Sequence, residues 1–298
     1  MSAVKTIAVM GAGIMGRGIA HAAALGGFQT ILEDISPAAL RRAETEIRAN
    51  LDKAVDLGKV SAVDADHAFQ RIDYVSDLAD AAREADLVIE AVPEEMEAKI
   101  DLFTQIDKIC PPEAVFATNT SSLSVTEIAS ITQRAPKVVG MHFFNPVHKM
   151  KLLEIVRALE TDDATIATAV AVAKQMGKEP VVIKEAPGFV TSRINAMIGN
   201  EAFYMLQEGV ASAEDIDKAL KLGLNHPMGP FELVDLVGLD TRLHILEYLH
   251  KSLGDKFRPC PLMVQYVKAG RLGRKSGRGV YDYSQPAEKK AASADKKN

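Results

Sequence analysis

Thr6-Ile7-Ala8-Val9-Met10-Gly11-Ala12-Gly13-Ile14-Met15-Gly16 decides the fold. A short, mainly apolar run passes directly into a Gly-x-Gly-x-x-Gly turn, and Ile19-Ala20-His21-Ala22-Ala23-Ala24 continues as a helix. In such a strand–turn–helix unit the first glycine permits the tight turn. The second lets the backbone approach a pyrophosphate, and the third lets helix and sheet pack closely. The helix N-terminus offers unpaired N–H groups and the positive end of its dipole to phosphates. The candidate cofactor contacts on this loop are Gly11, Gly13, Ile14, Met15 and Gly16. A second strand, Gln29–Leu32, ends in Glu33-Asp34. An acid there accepts hydrogen bonds from adenosine ribose hydroxyls and repels a 2′-phosphate, which favours NAD over NADP. Strand alternation favours Asp34 for that contact. A glycine turn that binds nothing is the bland alternative, and the strand, helix and acids around the motif weigh against it.

Outward from this unit, short β-rich runs alternate with helical stretches. Further candidate strands are Leu87–Ala91, Val115–Ala117, Val138–Phe143, Leu152–Val156 and Pro180–Ile183. The alternation predicts an α/β fold, a Rossmann-type doubly wound, mostly parallel sheet with helices on both faces. Leu152–Val156 follows Val138–Phe143 so closely that only a hairpin-like return fits, giving an antiparallel strand at the sheet edge. An Arg-, Glu- and Ala-rich helical pair, broken at Leu57-Gly58, is longer than a plain crossover needs and reads as a protruding helical arm at about 37–70. Near Ala186-Pro187-Gly188 strand signals fade, and Val190, Ile194, Met197, Ile198, Ala202 and Met205 recur at helical spacing. Further helices are expected at Glu214–Lys221, Pro230–Val237, Thr241–Leu253 and Pro261–Ala269, with Gly and Pro breakers between them. The expected division is a nucleotide-binding domain over 1–186, an all-α C-terminal domain over 187–284, and a disordered Ala/Lys/Ser/Asp tail over 285–298.

The chain's 298 residues suffice for two domains, each with its own core. Hydrophobic residues at 47% and charged residues at 25% fit a soluble globular protein. A net charge of −5 argues against a nucleic-acid partner. Two cysteines, Cys110 and Cys260, make no disulfide framework and lack metal-ligand spacing, so no metal is expected and a reduced, cytoplasmic compartment is. The N-terminus runs straight into a strand without signal-peptide regions, and no apolar run approaches membrane-spanning length, so no membrane partner is expected.

The chemistry gathers at strand ends. Asn119-Thr120-Ser121-Ser122 follows one strand, Val138–Phe143 delivers His142 and then Asn145, and Glu154 sits in Leu152-Leu153-Glu154-Ile155-Val156. Ligands of open α/β sheets bind beyond the carboxyl ends of the strands. Oxidising an alcohol needs a base for the hydroxyl proton as hydride leaves carbon, and the reverse needs the same group as an acid. Imidazole suits both tasks near neutrality. A carboxylate on its other nitrogen fixes the tautomer and stabilises the imidazolium, which Glu154 can do if its strand pairs beside that of His142. Ser121 can donate a hydrogen bond to the substrate oxygen, and Asn145 can orient substrate or nicotinamide amide. Against this, a His at a strand end is often a satisfied surface or core residue. Glu154 could be an edge-strand charge facing solvent, and Asn119–Ser122 a turn or helix cap. His21, His67, His148, His226, His244 and His250 lack comparable local partners.

Taken together these stretches resemble the short-chain (S)-3-hydroxyacyl-CoA dehydrogenases, over essentially the whole chain to Tyr283. The resemblance rests on Gly11–Gly16, Glu90-Ala91-Val92-Pro93-Glu94, Asn119–Leu123, Gly140-Met141-His142-Phe143-Phe144-Asn145-Pro146 and Lys151-Leu152-Leu153-Glu154. It extends through Pro187-Gly188-Phe189, His226–Leu233 and Gly273-Arg274-Lys275-Ser276-Gly277. It implies an NAD-dependent enzyme that interconverts 3-hydroxyacyl-CoA and 3-oxoacyl-CoA, with His142 as general acid/base, Glu154 as its partner and Ser121 as a substrate contact. It further implies Asp34, Glu94, Lys99, Ser121, Asn145 and Lys275 around NAD, with Asn50 and Lys53 of the helical arm near the CoA moiety. A homodimer through the C-terminal domain is also implied.

The sequence departs from the resemblance at one substrate position. Many relatives carry Phe-x-x-Asn-Arg, where this chain has Phe189-Val190-Thr191-Ser192-Arg193, so Ser192 stands where an amide contacts substrate. A hydroxyl is shorter and offers one donor where an amide offers two. Asn195, nearly a turn later, can supply an amide. Two other readings compete: a dehydrogenase of a free hydroxy or sugar acid, and a nucleotide-binding structural protein without activity. The intact His142, Glu154 and Ser121 set weighs against the second.

Overall fold

The computed structural model describes residues 4–284, so the expected tail lies outside the described residues. Its strands are β1 (Thr6–Met10), β2 (Gln29–Glu33), β3 (Ile72–Val75), β4 (Leu87–Glu90), β5 (Val115–Thr118), β6 (Val138–Phe143), β7 (Leu152–Arg157) and β8 (Glu179–Lys184). They form one sheet in the order β3-β2-β1-β4-β5-β6-β7-β8. Neighbours from β3 to β6 run parallel, β7 is antiparallel to β6, and β8 is parallel to β7. The central strands β4, β5 and β6 are buried on both faces, which explains their continuous apolar runs.

The chain divides into two compact units, one ending at Phe189 and the other beginning at Val190. In the first, α1 (Ile14–Leu25), α2 (Pro37–Asp56), α3 (Ala62–Gln70), α4 (Leu78–Ala82), α5 (Met96–Ile109), α6 (Val125–Ser130) and α7 (Asp163–Gln175) cover the sheet. Ile7, Val9, Leu87 and Ile89 pack with apolar residues of α1, α2, α3 and α7 on one face. Ala8, Met10, Val88 and Phe116 pack with those of α4, α5 and α6 on the other.

Three features differ from the sequence expectation. A strand at Ile72–Val75 was not expected. It is short and carries Asp73, and pairing with β2 rather than its own alternation holds it in the sheet. Leu152–Arg157 returns antiparallel as expected but is not the edge, because β8 pairs along its outer side. The pair α2 and α3 is docked rather than free along its length. Leu40, Ala43, Ile47 and Leu51 of α2, with Ala65 and Ala68 of α3, belong to the core around α1, while the turn at Leu57-Gly58 is exposed.

The second unit comprises α8 (Thr191–Gln207), α9 (Ala213–Gly223), α10 (Pro230–Val237), α11 (Leu239–Leu253) and α12 (Pro261–Lys268). Phe203, Phe231, Leu246, Phe257 and Met263 centre its core. Two buried carboxylates pin the segment after Arg278. Asp235 accepts from Val280 N, Tyr281 N and Tyr283 Oη, and Asp217 accepts from Tyr281 Oη as well as Phe231 N and Glu232 N. Helix α8 turns Ala196, Gly199, Asn200, Ala202 and Phe203 inward and leaves Ile194 and Met197 exposed. No helix among the described residues is long and apolar enough to cross a membrane.

Candidate active site

Strand order reverses between β1 and β4, where open α/β sheets bind ligands. A cleft of about 930 Å³ opens there, lined by Gly11, Gly13 and Met15, by Asp34 and Ser36, and by Ala91 and Val92 among others. Gly11 has φ +98°, and a Cβ on Gly16 would stand 1.7 Å from the Gly11 carbonyl oxygen, so both positions exclude side chains. At Gly13 nothing lies within 4 Å of a built Cβ, which leaves the backbone open to a ligand. Helix α1 starts at Gly13 with no side-chain cap and no acid in its first turn, so its first N–H groups and dipole face the cleft uncompensated. Asp34 accepts from Ala12 N and Ser36 N, both at 2.8 Å, which fixes its carboxylate beside the glycine turn. Open backbone, uncapped helix start and fixed acid fit a dinucleotide's pyrophosphate and ribose.

Glu33, also on the cleft wall, is 5% exposed. Burial, reinforced by the Asp34 and Asp77 carboxylates, pushes its carboxyl up from 4.5 to about 7. Of the two acids, Asp34 is the one hydrogen-bonded to the glycine turn.

The second part of the site hangs on β6 and β7. His142 and Glu154 are register partners across the antiparallel pair, and His142 Nδ1 lies 2.7 Å from Glu154 Oε2. Both side chains are buried. With Glu154 as carboxylate, Nδ1 carries the proton and Nε2 keeps its lone pair. Among the described residues no partner occupies Nε2. The rings of Phe144 and Phe189 lie 4.4 Å and 5.7 Å from the imidazole, centroid to centroid. Asn119 closes the strand ends by accepting from Phe143 N at 2.9 Å while its own N–H donates to the Glu90 carbonyl.

Between the two parts runs an ion network, buried at Lys99 and Glu90 and open to solvent at Glu94. Lys99 Nζ lies 2.7 Å from Glu90 Oε1 and 3.1 Å from Glu94 Oε2. Glu90 also accepts from Thr118 Oγ1 and Val92 N. Glu94 accepts from Thr120 Oγ1 at 2.6 Å, from Ser121 N at 2.8 Å and from Ser121 Oγ at 3.3 Å. Burial pushes the Glu90 carboxyl up. For Glu94 burial acts in the same direction, but Lys99 and the Thr120 and Ser121 hydrogen bonds outweigh it and hold the carboxyl low. Lys99 is 1% exposed and its ammonium is shared by the two carboxylates, so it holds Glu94 at the cleft. Ser121 likewise gives its hydroxyl proton to Glu94 in this state and presents oxygen lone pairs.

Asn145 is exposed and lines a separate polar cleft of about 210 Å³ with Arg17, His21, Glu46, Asn50 and His148. Burial, then the ammonium groups of Lys149, Lys178, Lys59 and Lys53, hold His148 below its ordinary range. Its ring stacks on His21 at 5.9 Å. Ser192 and Lys275 belong to the second unit, where Ser192 is half-buried in the first turn of α8 and Lys275 pairs with Asp240 at 2.6 Å. Sequence reasoning missed Glu90, Phe144 and Phe189 as site residues. The first was visible as the acid ending a buried strand, and the two rings had no local signal.

Glu33 gives a pH test. Its ionised form is the penalised one, so its contribution to stability is present below about pH 4.5 and lost as pH rises through about 7. In thermal unfolding of ligand-free protein, Glu33→Gln should raise Tm over wild type near pH 8 and match it near pH 4.5. An equal gain at both values would contradict the burial account.

Residues 6–186 match the family model for the 3-hydroxyacyl-CoA dehydrogenase NAD binding domain, and residues 188–283 match that for the C-terminal domain. The chain is 48% identical to a probable 3-hydroxybutyryl-CoA dehydrogenase of Bacillus subtilis, over 95% of this chain and 98% of that protein. It is 42% identical to a 3-hydroxyadipyl-CoA dehydrogenase of Escherichia coli, over 94% of this chain and 59% of that one. Its fold superposes on the crystal structure of (S)-3-hydroxybutyryl-CoA dehydrogenase from Ralstonia eutropha with a TM-score of 0.92, at 44% identity, over 95% of this chain and all of that one. With both of its units matched in order, on top of the nucleotide cleft and the His–Glu pair, the chain belongs to the 3-hydroxyacyl-CoA dehydrogenase family.

Proposed function

We propose that this chain interconverts (S)-3-hydroxyacyl-CoA and 3-oxoacyl-CoA with NAD, on short acyl chains such as the four-carbon 3-hydroxybutyryl group. The observation that carries the reading is the buried 2.7 Å pair of His142 Nδ1 and Glu154 Oε2, at the same end of the sheet as the open glycine turn. Similarity to proteins named 3-hydroxybutyryl-CoA dehydrogenases supports the short acyl chain.

Bound NAD supplies the hydride acceptor. The chain's own residues handle the proton and the geometry. His142 Nε2 takes the hydroxyl proton, and the Glu154 carboxylate stabilises the resulting imidazolium through Nδ1–H. In reduction, Nε2–H returns the proton to the substrate oxygen. Ser121, held through Glu94, orients an oxygen or amide at the reacting end, and Asn145 offers a second amide contact. Asp34 and the Gly11–Gly16 turn hold the cofactor, with Glu94 and Lys99 setting the loop beside it. Asn50 and His148 line the 210 Å³ cleft, and the charges of Lys53, Lys59 and Lys149 that act on His148 suit the CoA phosphates. Ser192 and Lys275 are the second unit's candidates for substrate and NAD.

We also infer a homodimer through the second unit. Ile194, Met197, Leu222 and Leu224 are exposed there, beside a groove of about 590 Å³ lined by Ile198, Met205 and Leu220. A large exposed apolar patch of this kind marks an interaction surface. Sedimentation of the wild type should give a dimer and Met197→Asp a smaller species. A monomeric wild type would refute the inference.

The activity test uses purified protein and NADH. Acetoacetyl-CoA should be reduced, with free acetoacetate and NADPH each roughly tenfold or more poorer. His142→Gln should lower kcat by about 10²–10⁴-fold while NADH still binds. Turnover on a free acid alone would sink the CoA assignment, and wild-type turnover in His142→Gln would sink the proton role.

A further inference from the structure

The first unit ends on a residue in an unusual backbone state. Phe189 has φ +50° and follows Gly188 at φ +73°. Glycine adopts the left-handed region freely, whereas a bulky L-residue there is strained and persists only when its surroundings over-determine it. Those surroundings are visible. Upstream, the Glu185 carboxylate accepts from Ser124 Oγ at 2.6 Å, Thr126 N at 2.9 Å and Thr126 Oγ1, which straps the exit of β8 to the start of α6. Phe189 N then donates to the Ala186 carbonyl and closes a turn. The turn drives the Phe189 ring, 4% exposed, into the apolar cluster of Val125, Val138 and Val156, with its centroid 5.7 Å from the His142 imidazole and the planes tilted by 53°.

The imidazole needs such a neighbour. Its χ2 torsion is a broad, soft one, and the hydrogen bond to Glu154 fixes a distance without fixing the ring plane, so packing of the Phe144 ring at 4.4 Å and the Phe189 ring at 5.7 Å limits its rocking. Rocking moves Nε2 away from the proton it must take, and it admits water to the Nδ1–Oε2 bond. We propose that Phe189 is a positioning residue for His142, its ring held by the strained Glu185–Phe189 strap as a wall to the imidazole together with the nearer Phe144 ring, so that Nδ1 stays on Glu154 and Nε2 stays presented to substrate. This rests on the reading of His142 as the acid/base. A neighbour held in this way preorganises the imidazole for substrate.

The test reads the bond without substrate. In ligand-free protein with ¹⁵N-labelled histidine, the Nδ1 proton of His142 is identified by its absence in His142→Gln, and its exchange with water is timed. Phe189→Ala should exchange roughly tenfold faster or more, and Phe189→Leu, which keeps apolar bulk without a flat face, about threefold faster. In turnover, the alanine variant should lose kcat by about tenfold with KM for NADH within about twofold, and leucine should recover part of the loss. Wild-type exchange in whichever variant folds overturns the proposal. An enzyme inactive on acetoacetyl-CoA would count against the substrate reading and leave this measurement standing.

Discussion

The antiparallel pairing of β6 with β7 is the constraint on which the site depends. Side chains alternate along a strand, so His142 and Glu154 share one face with Val138 and Val156, while Met141, Phe143, Leu153 and Ile155 face the other core. A slip of one residue would send Glu154 to the wrong side. The register is held by Gly140 opposite Val156, where an added Cβ would come within 2.6 Å of the Val156 Cβ. It is held again by β8 along the outer edge, which keeps β7 from fraying. Reversing β7, which β8 then follows in parallel, thus brings a carboxylate to an imidazole at the end where nucleotides bind.

Around this pair, the buried polar groups are satisfied by hydrogen bonds and ion pairs. Lys99 sits between Glu90 and Glu94, and nearly every oxygen of those carboxylates has a donor from a hydroxyl, a backbone N–H or the ammonium. Such a triad is weak evidence for stability, because desolvation consumes most of the Coulomb gain. Its effect lies in position. One connected set of bonds fixes the ends of β4 and β5 and the Ser121 turn, and Asn119 joins that set to Phe143, one residue beyond the imidazole. Removing any member leaves a buried group unpaired, so the set is kept or lost as a unit.

Much of this was legible in the chain itself. The glycine turn follows a strand and opens a helix, as β1 and α1 do. The short connection after His142 leaves no room for anything but an antiparallel return. What was hidden depended on tertiary partners. The pairing of Lys99 with Glu90 and Glu94 brings together helix α5, the end of β4 and the segment after it, which no local spacing announces. Ile194, Met197 and Ala202 recur at helical spacing, but Ala196, Gly199 and Phe203 supply a second set, and periodicity alone does not say that Ala202 turns inward with them while Ile194 and Met197 stay out. Phe189 carries no mark of its ring contact, because the left-handed turn that aims it is a property of the folded strap. The edge position expected for β7 failed for a related reason: β8 reaches it across a whole helix, and local spacing does not choose between parallel partners.

The central claim is that His142 and Glu154 act as one unit. A double-mutant cycle on kcat with His142→Gln, Glu154→Gln and the pair tests it most directly. The account predicts that the double variant loses no more than about threefold beyond His142→Gln alone, because Glu154 works only through the imidazole. Losses that multiply, with the double variant impaired by the product of the two single effects, would contradict it.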